Sequence, residues 1–160
     1  MASSEGVLRQ RLGQDITLHP VAYGEELWLG QCKVSFHSAG HVLGSAQIRL
    51  ESEGEVWVVS GDYKRDDDPS CAPFEPVRCD VLITEATFGM PIYRWQSGAD
   101  VAHDIHEWWT SDHGRPSLLF CYAFGKAQRL LAELKAIGVN EEVLLHGAVE
   151  TMTRHYRDAG

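Results

Sequence analysis

"SFHSAGHVLGSAQIRLESEGEVWVVSGD", residues 35–62, decides how this chain folds. Upstream "CKVSFHS" alternates apolar and polar residues with a period of two, which marks a strand ending near His37. A loop containing Gly40, His41 and Gly44 follows, and the strand pattern restarts at about Ser45. "SAQIRLES" and "EVWVVSG" flank "EG", the signal of a β-hairpin with a glycine-containing turn. His41 and Asp62 therefore stand on either side of a hairpin that can return both to one edge of one sheet. A loop imidazole and a strand-end carboxylate in glycine-containing turns suit a zinc or manganese ion. The glycines let the backbone turn sharply and let water or substrate approach. Spacing alone favours a plainer reading, in which Asp62 caps a turn and His41 packs in a loop.

Outward from this stretch, "ITLHPVAYGEELWLG" (16–30) suggests a strand and a short hairpin, so residues 16–60 are strand-rich. A charged, proline-bearing loop (62–79) leads to "DVLITEA" (80–86), a short apolar run suited to a buried strand. The second half alternates. "SGADVAHDIHEWWTSDHG" (97–114) has apolar residues at helical spacing, with Ser97 or Asp100 as cap and Gly114 as stop. "SLLFCYA" (117–123) reads as a buried strand and "GKAQRLLAELKAIG" (125–138) as an amphipathic helix ended by Gly138. "EEVLLHG" (141–147) is a strand pattern and "AVETMTRHYRDAG" (148–160) a final helix. This order predicts parallel strands near 117–122 and 142–145, joined by a crossover helix over 125–137. No internal repeat or low-complexity tract occurs.

Composition narrows the function. The chain has 160 residues, enough for a real core, with 44% hydrophobic and 23% charged residues. A formal net charge of −9 excludes attraction of nucleic acid by the surface as a whole. Nucleic-acid contact requires a local basic patch or metal ions that offset the acidity. No apolar run is long enough to span a membrane, and the first fifteen residues lack the apolar stretch of a signal peptide, so a cytoplasmic location is expected. The cysteines at 32, 71, 79 and 121 form no CxxC pair or zinc-finger spacing. Cys71 and Cys79 are the one loosely close pair, and a disulfide between them is not expected in a reducing compartment.

"SAGHVLGSAQIRLE" (38–51), "VVSGDYKR" (58–65) and "DVLITEATFG" (80–89), in that order, resemble the metallo-β-lactamase fold in its β-CASP nuclease branch. "YAFGKAQRLLAEL" (122–134) resembles a helix start of the inserted β-CASP domain. Residues 56–95 are similar to bacterial ligase-associated DNA exonucleases, a group also described as mRNA 3′-end processing factors. The resemblance covers about residues 20–160. It implies an α/β fold: a partial αββα metallo-β-lactamase domain over residues 1–88 and part of a parallel α/β β-CASP domain over 89–160. It further implies that His41 is a zinc ligand and that Asp62 is a catalytic carboxylate bridging two metals. Glu85 would be the acidic residue of the first β-CASP motif, orienting a proton-donating histidine. In a two-metal hydrolase the cations lower the pKa of a bridging water and neutralise charge building on the phosphate. A carboxylate bonded to a histidine sets its tautomer.

The chain departs from that pattern. The H-x-H-x-D-H motif is absent, since no two of its histidines (19, 37, 41, 103, 106, 113, 146 and 155) are one residue apart. The late β-CASP histidine motifs also lack counterparts, and His146 in "LLHGAVE" directly follows the β-CASP helix and is not assigned as a ligand. The chain therefore reads as an internal piece of a longer protein, with His41 and Asp62 alone remaining of the usual ligand set. Two ligands cannot hold a tetrahedral zinc tightly. Lys64, Arg94 and Lys126 are candidate substrate contacts, Lys126 because a helix start offers free N–H groups to an anion. For Lys64 a solvated loop charge is the plainer reading. His103 and His106 share a helix face, where surface histidines are common. The expected parent is a metal-dependent DNA exonuclease in end processing or repair, with DNA and a DNA ligase as partners and no membrane. A β-CASP ribonuclease and a non-catalytic binding remnant are the alternatives. A Ser60–His41–Asp62 hydrolase is remote, because Ser60 lies in no G-x-S-x-G elbow.

Overall fold

Five strands, β1 (Glu26–Leu29), β2 (Cys32–Ser38), β3 (Ala46–Ser52), β4 (Glu55–Val59) and β5 (Val81–Ile83), form one sheet in that order. The computed structural model describes residues 1–112 and 114–160. They divide into two compact units, Met1–Thr87 with Ala159, and Phe88–Asp158 with Gly160. No helix among the described residues is long and apolar enough to cross a membrane.

In the first unit, β1 to β4 pair antiparallel and β5 joins β4 in parallel. The hairpin read from the sequence is present, with Ser52 opposite Glu55. Its two turn residues, Glu53 and Gly54, both have positive φ (53° and 84°), as a two-residue turn matched to strand twist requires. Val34 and Val58 lie buried with Val7, Val21, Ala39 and Leu43. Val7 belongs to α1 (Glu5–Leu12), a helix the sequence did not announce, since Val7 is its one buried residue and it lacks an apolar stripe. The strand expected near residue 16 does not form. Arg9 Nη1 donates to the Gln14 and Ile16 carbonyls (3.0 and 3.2 Å), so a side chain takes acceptors that a strand would offer a neighbour.

The second unit holds α2 (Gly98–Thr110), α3 (Lys126–Ala136) and α4 (Gly147–Asp158). Ser97 is the cap of α2, its hydroxyl accepting the Asp100 N–H at 3.1 Å. α3 stops at Gly138 (φ 90°), as expected, with the Val139 N–H bonded to the Leu134 carbonyl at 3.0 Å. α3 packs against both α2 and α4. Gln128 and Thr153, both buried, bond across α3 and α4 at 3.0 Å.

The parallel strands expected at 117–122 and 142–145 are a correction: neither stretch is paired in a sheet. Phe120 is 94% exposed and Leu144 86%. Two parallel strands alone would leave both outer edges and most of both faces in water, and parallel sheets persist where neighbours and helices cover them. The α/β class expected for the chain is nonetheless what it adopts, with the sheet confined to the first unit.

Candidate functional site

Two turns meet at one end of the sheet. The first, residues 39–45, joins β2 to β3 and closes through the Ala39 N–H on the Ser45 carbonyl (3.2 Å). Inside it the Ser45 hydroxyl accepts the N–H groups of His41 and Val42 at 3.1 and 3.2 Å. These bonds fix the backbone that carries the imidazole. The second turn, after β4, carries Asp62. On its upstream side buried Ser60 is tied to the end of β5, its N–H donating to the Ile83 carbonyl at 2.9 Å. On its downstream side the Lys64 N–H donates to the Ala39 carbonyl, also at 2.9 Å, and the Tyr63 ring packs on Phe74.

Gly40 makes this meeting possible. Its φ of 67° lies in the left-handed region, and a Cβ there would run into the Lys64 carbonyl and the Phe74 backbone. The result is that His41 Nε2 lies 3.9 Å from Asp62 Oδ2, with the Asp62 side chain 76% exposed. An imidazole nitrogen and a carboxylate oxygen at this spacing face solvent together, as two ligands of one cation would. Among the described residues, no group of three or more His, Cys, Asp or Glu side chains is placed to hold a metal ion. Zinc takes about three protein ligands even in open sites, so His41 and Asp62 would be two of a larger set.

Glu85 follows β5, and β5 runs parallel to β4, so it comes to the same end of the sheet as Asp62. Its carboxylate accepts the Thr87 N–H at 2.8 Å. Lys64 is turned into its own loop: its ammonium bonds the Asp67 carbonyl and pairs with the buried carboxylate of Asp68, both at 3.2 Å. Arg94 and Lys126 belong to the second unit, and both are exposed. The Lys126 ammonium lies 5.6 Å from the centre of the Tyr122 ring. The N–H groups around it are partly used, Gly125 donating to Gln128 Oε1 (2.7 Å) and Ala127 to the Tyr122 carbonyl (3.2 Å).

Four of the other histidines, His37, His103, His106 and His146, have partners away from this site. His37 bonds Glu75 through Nδ1 (2.8 Å) and Ser35 through Nε2 (3.0 Å). His146 Nδ1 accepts the Ala148 N–H at the start of α4. His103 and His106 do not form a pair: Nδ1 of His103 contacts the Ala99 carbonyl, and Nε2 of His106 contacts Glu141. His113 lies outside the described residues. The Ser60 hydroxyl contacts the Gly61 carbonyl and the Thr84 hydroxyl. No disulfide joins any of the four cysteines. The supporting role of Ser45 was not read from sequence.

No family model matches the chain. It is 34% identical, over 99% of its length, to a probable DNA ligase of Opitutus terrae, of which it covers 16%. It is 29% identical, over 81% of its length, to cleavage and polyadenylation specificity factor subunit 3 of Dictyostelium discoideum, covering 17% of that protein. A ribonuclease of Thermus thermophilus is 40% identical over 45% of the chain, which covers 17% of it. The chain thus spans about one sixth of the length of these relatives. The first of these matches runs over nearly the whole chain, so it spans the turns with His41 and Asp62. On that ground the chain belongs to the metallo-β-lactamase/β-CASP family.

Proposed function

We propose that this chain is part of a metal-dependent nuclease in which His41 and Asp62 are two ligands of a site completed by residues beyond these 160, with Glu85 beside them as a positioning carboxylate. The observation that carries this reading is the 3.9 Å approach of His41 Nε2 to Asp62 Oδ2, held by two mutually bonded turns rather than by a flexible contact. Residues 1–88 then correspond to part of the metallo-β-lactamase domain and 89–160 to part of the β-CASP domain. Zinc is the proposed metal, with manganese as a substitute.

DNA is the proposed substrate and exonucleolytic trimming during repair the proposed task, with a DNA ligase as working partner. The 34% identity to a protein named a probable DNA ligase, over nearly the whole chain, supports this. Likeness to a protein named a ribonuclease supports RNA as the second reading. Strands of one sequence in deoxyribose and ribose form, end-labelled and supplied with Mn²⁺ or Zn²⁺, separate the two. A longer protein containing this chain is expected to degrade the DNA strand, to stop on addition of chelator and to lose activity in Asp62→Ala. The 160-residue chain alone is expected to bind the metal weakly and leave DNA intact. Cleavage by the longer protein that survives Asp62→Ala would overturn the proposal.

A further inference from the structure

Residues 86–99 contain one charged side chain, Arg94, and it stands between two aromatic residues, Tyr93 and Trp95. Those two rings are parallel to within 6°, with centroids 6.3 Å apart. Phe88 stands edge-on to both, at 5.1 and 5.4 Å. A bond from the Tyr93 N–H to the Met90 carbonyl (3.1 Å) turns the chain, so that residue 88 can meet residues 93 and 95. Three mutually packed rings ordinarily lie in a core, where their apolar area is withdrawn from water. Here Phe88 is 58% exposed and Trp95 70%.

We propose that Phe88, Tyr93, Arg94 and Trp95 form a stacking platform for unpaired bases of a nucleic-acid strand. The proposal rests on the nuclease reading above and adds the form of the substrate: a single strand, or a frayed end. Every base has a π-face, so an exposed ring that its neighbours already hold in place gains stacking at little ordering cost. Bases inside a duplex have both faces covered and cannot use such a surface. Arg94 supplies the cation that a phosphate or a base face attracts. No acidic residue lies between 86 and 99, and the carboxylates that flank the stretch, Glu85, Asp100 and Asp104, are each hydrogen-bonded, to Thr87, Ser97 and Gln96. The stretch begins immediately after Glu85 in the sequence.

The test is binding of short fluorescent oligonucleotides to the 160-residue chain in chelator, where no metal-dependent cleavage contributes. A single strand is expected to bind more tightly than its duplex. Trp95→Ala and Tyr93→Ala should each weaken that binding about tenfold. Trp95→Phe should keep most of it, and Trp28→Ala, which removes an exposed ring of β1, should keep all of it. An abasic strand of equal length and charge should bind as weakly to the native chain as the normal strand binds to Trp95→Ala. Abasic and base-bearing strands binding equally would overturn the platform, as would unchanged binding by Trp95→Ala in a variant whose circular dichroism is native. The latter result would assign the rings to a protein partner instead. Strand binding in chelator and metal-dependent cleavage are read separately, so a failed cleavage test with intact stacking removes the nuclease reading alone, and the converse removes the platform alone.

Discussion

The turns at 39–45 and 61–65 and the apolar stretches at 117–122 and 142–145 are opposite solutions to ordering a short segment. The two turns bury Ala39 and Leu43 and pack Tyr63 on Phe74, but they are closed by hydrogen bonds. Backbone groups at their meeting point are paired: Ala39 with Ser45 and Lys64, His41 and Val42 with the Ser45 hydroxyl. The two stretches are rich in Leu, Phe and Val, yet Leu118, Phe120 and Leu144 face water. Hydrogen-bond closure is local and self-sufficient, whereas an apolar strand becomes a strand only when a neighbour supplies the ladder and a covering layer takes its faces.

The sharpest way to break the first arrangement is Gly40→Ala. The added methyl would need the left-handed conformation and would overlap the Lys64 carbonyl. We expect a loss of about 3 kcal/mol in urea unfolding of the first unit, combining the conformational cost with the steric displacement. Gly61→Ala is the control. Its φ of 56° is also left-handed, but the methyl would meet nothing within 4 Å, so about 1 kcal/mol is expected. Equal losses in the two variants would show that close packing of the turns contributes nothing.

In the second unit the corresponding linchpin is Gln128 in α3. It is 3% exposed, accepts the Gly125 N–H, and donates to the Ala123 carbonyl and the Thr153 hydroxyl. Gln128→Ala strips partners from buried polar groups and should cost about 2 kcal/mol, read as loss of helical circular dichroism at lower urea. A loss below about 0.5 kcal/mol would place the stability of this unit elsewhere than the α3–α4 contact.

What the sequence made legible follows the same division. The hairpin, the Gly138 stop and the Ser97 cap depend on residues adjacent in the chain, and all were readable. So was the return of His41 and Asp62 to one edge, because a two-residue turn at Glu53–Gly54 leaves the hairpin little freedom. The 117–122 and 142–145 stretches misled because an apolar run reports what a segment would bury and is silent on whether a partner exists. α1 was invisible for the converse reason: one valine anchors it, with Arg9 salt-bridged to Glu5 at 2.8 Å on its surface. The plainer reading of Lys64, a solvated loop charge, is corrected: its side chain is 17% exposed and paired with buried Asp68, and nothing in "DYKRDDD" says which aspartate is buried.

Phe120→Ser sharpens the contrast from the other side. At 94% exposure the ring has almost no buried area to lose, so the unfolding midpoint should move by the equivalent of less than about 0.5 kcal/mol. Self-association at high protein concentration, read by light scattering, should fall, because an exposed apolar stretch invites pairing with another chain. A loss comparable to that of Gln128→Ala would mean that this stretch is packed in solution.

The smallest effect is expected from Glu51, on the sheet that supports the turns. Hydrogen bonds from Arg49 (2.8 Å) and Lys33 (3.0 Å) hold its carboxyl below the ordinary carboxylate value. Lys33, bonded to Glu51 and to Glu26 across β1–β2–β3, is held above the ordinary lysine value. For a lowered carboxyl, the folded state keeps its charge to lower pH than the unfolded chain does. Its contribution is therefore present at neutral pH and lost as pH falls through the depressed folded value. Glu51→Gln should accordingly be slightly less stable than the native chain at pH 7, and the difference should vanish in acid. Because the cluster faces solvent, added salt should shrink the difference at pH 7 as well. Glu141 in the second unit is lowered too, first by its own backbone N–H and then by His106, so Glu141→Gln should show the same acid dependence. A gap between native and Glu51→Gln midpoints that stays constant from pH 7 down to strong acid would show that the triad acts through packing of its side-chain stems and not through charge.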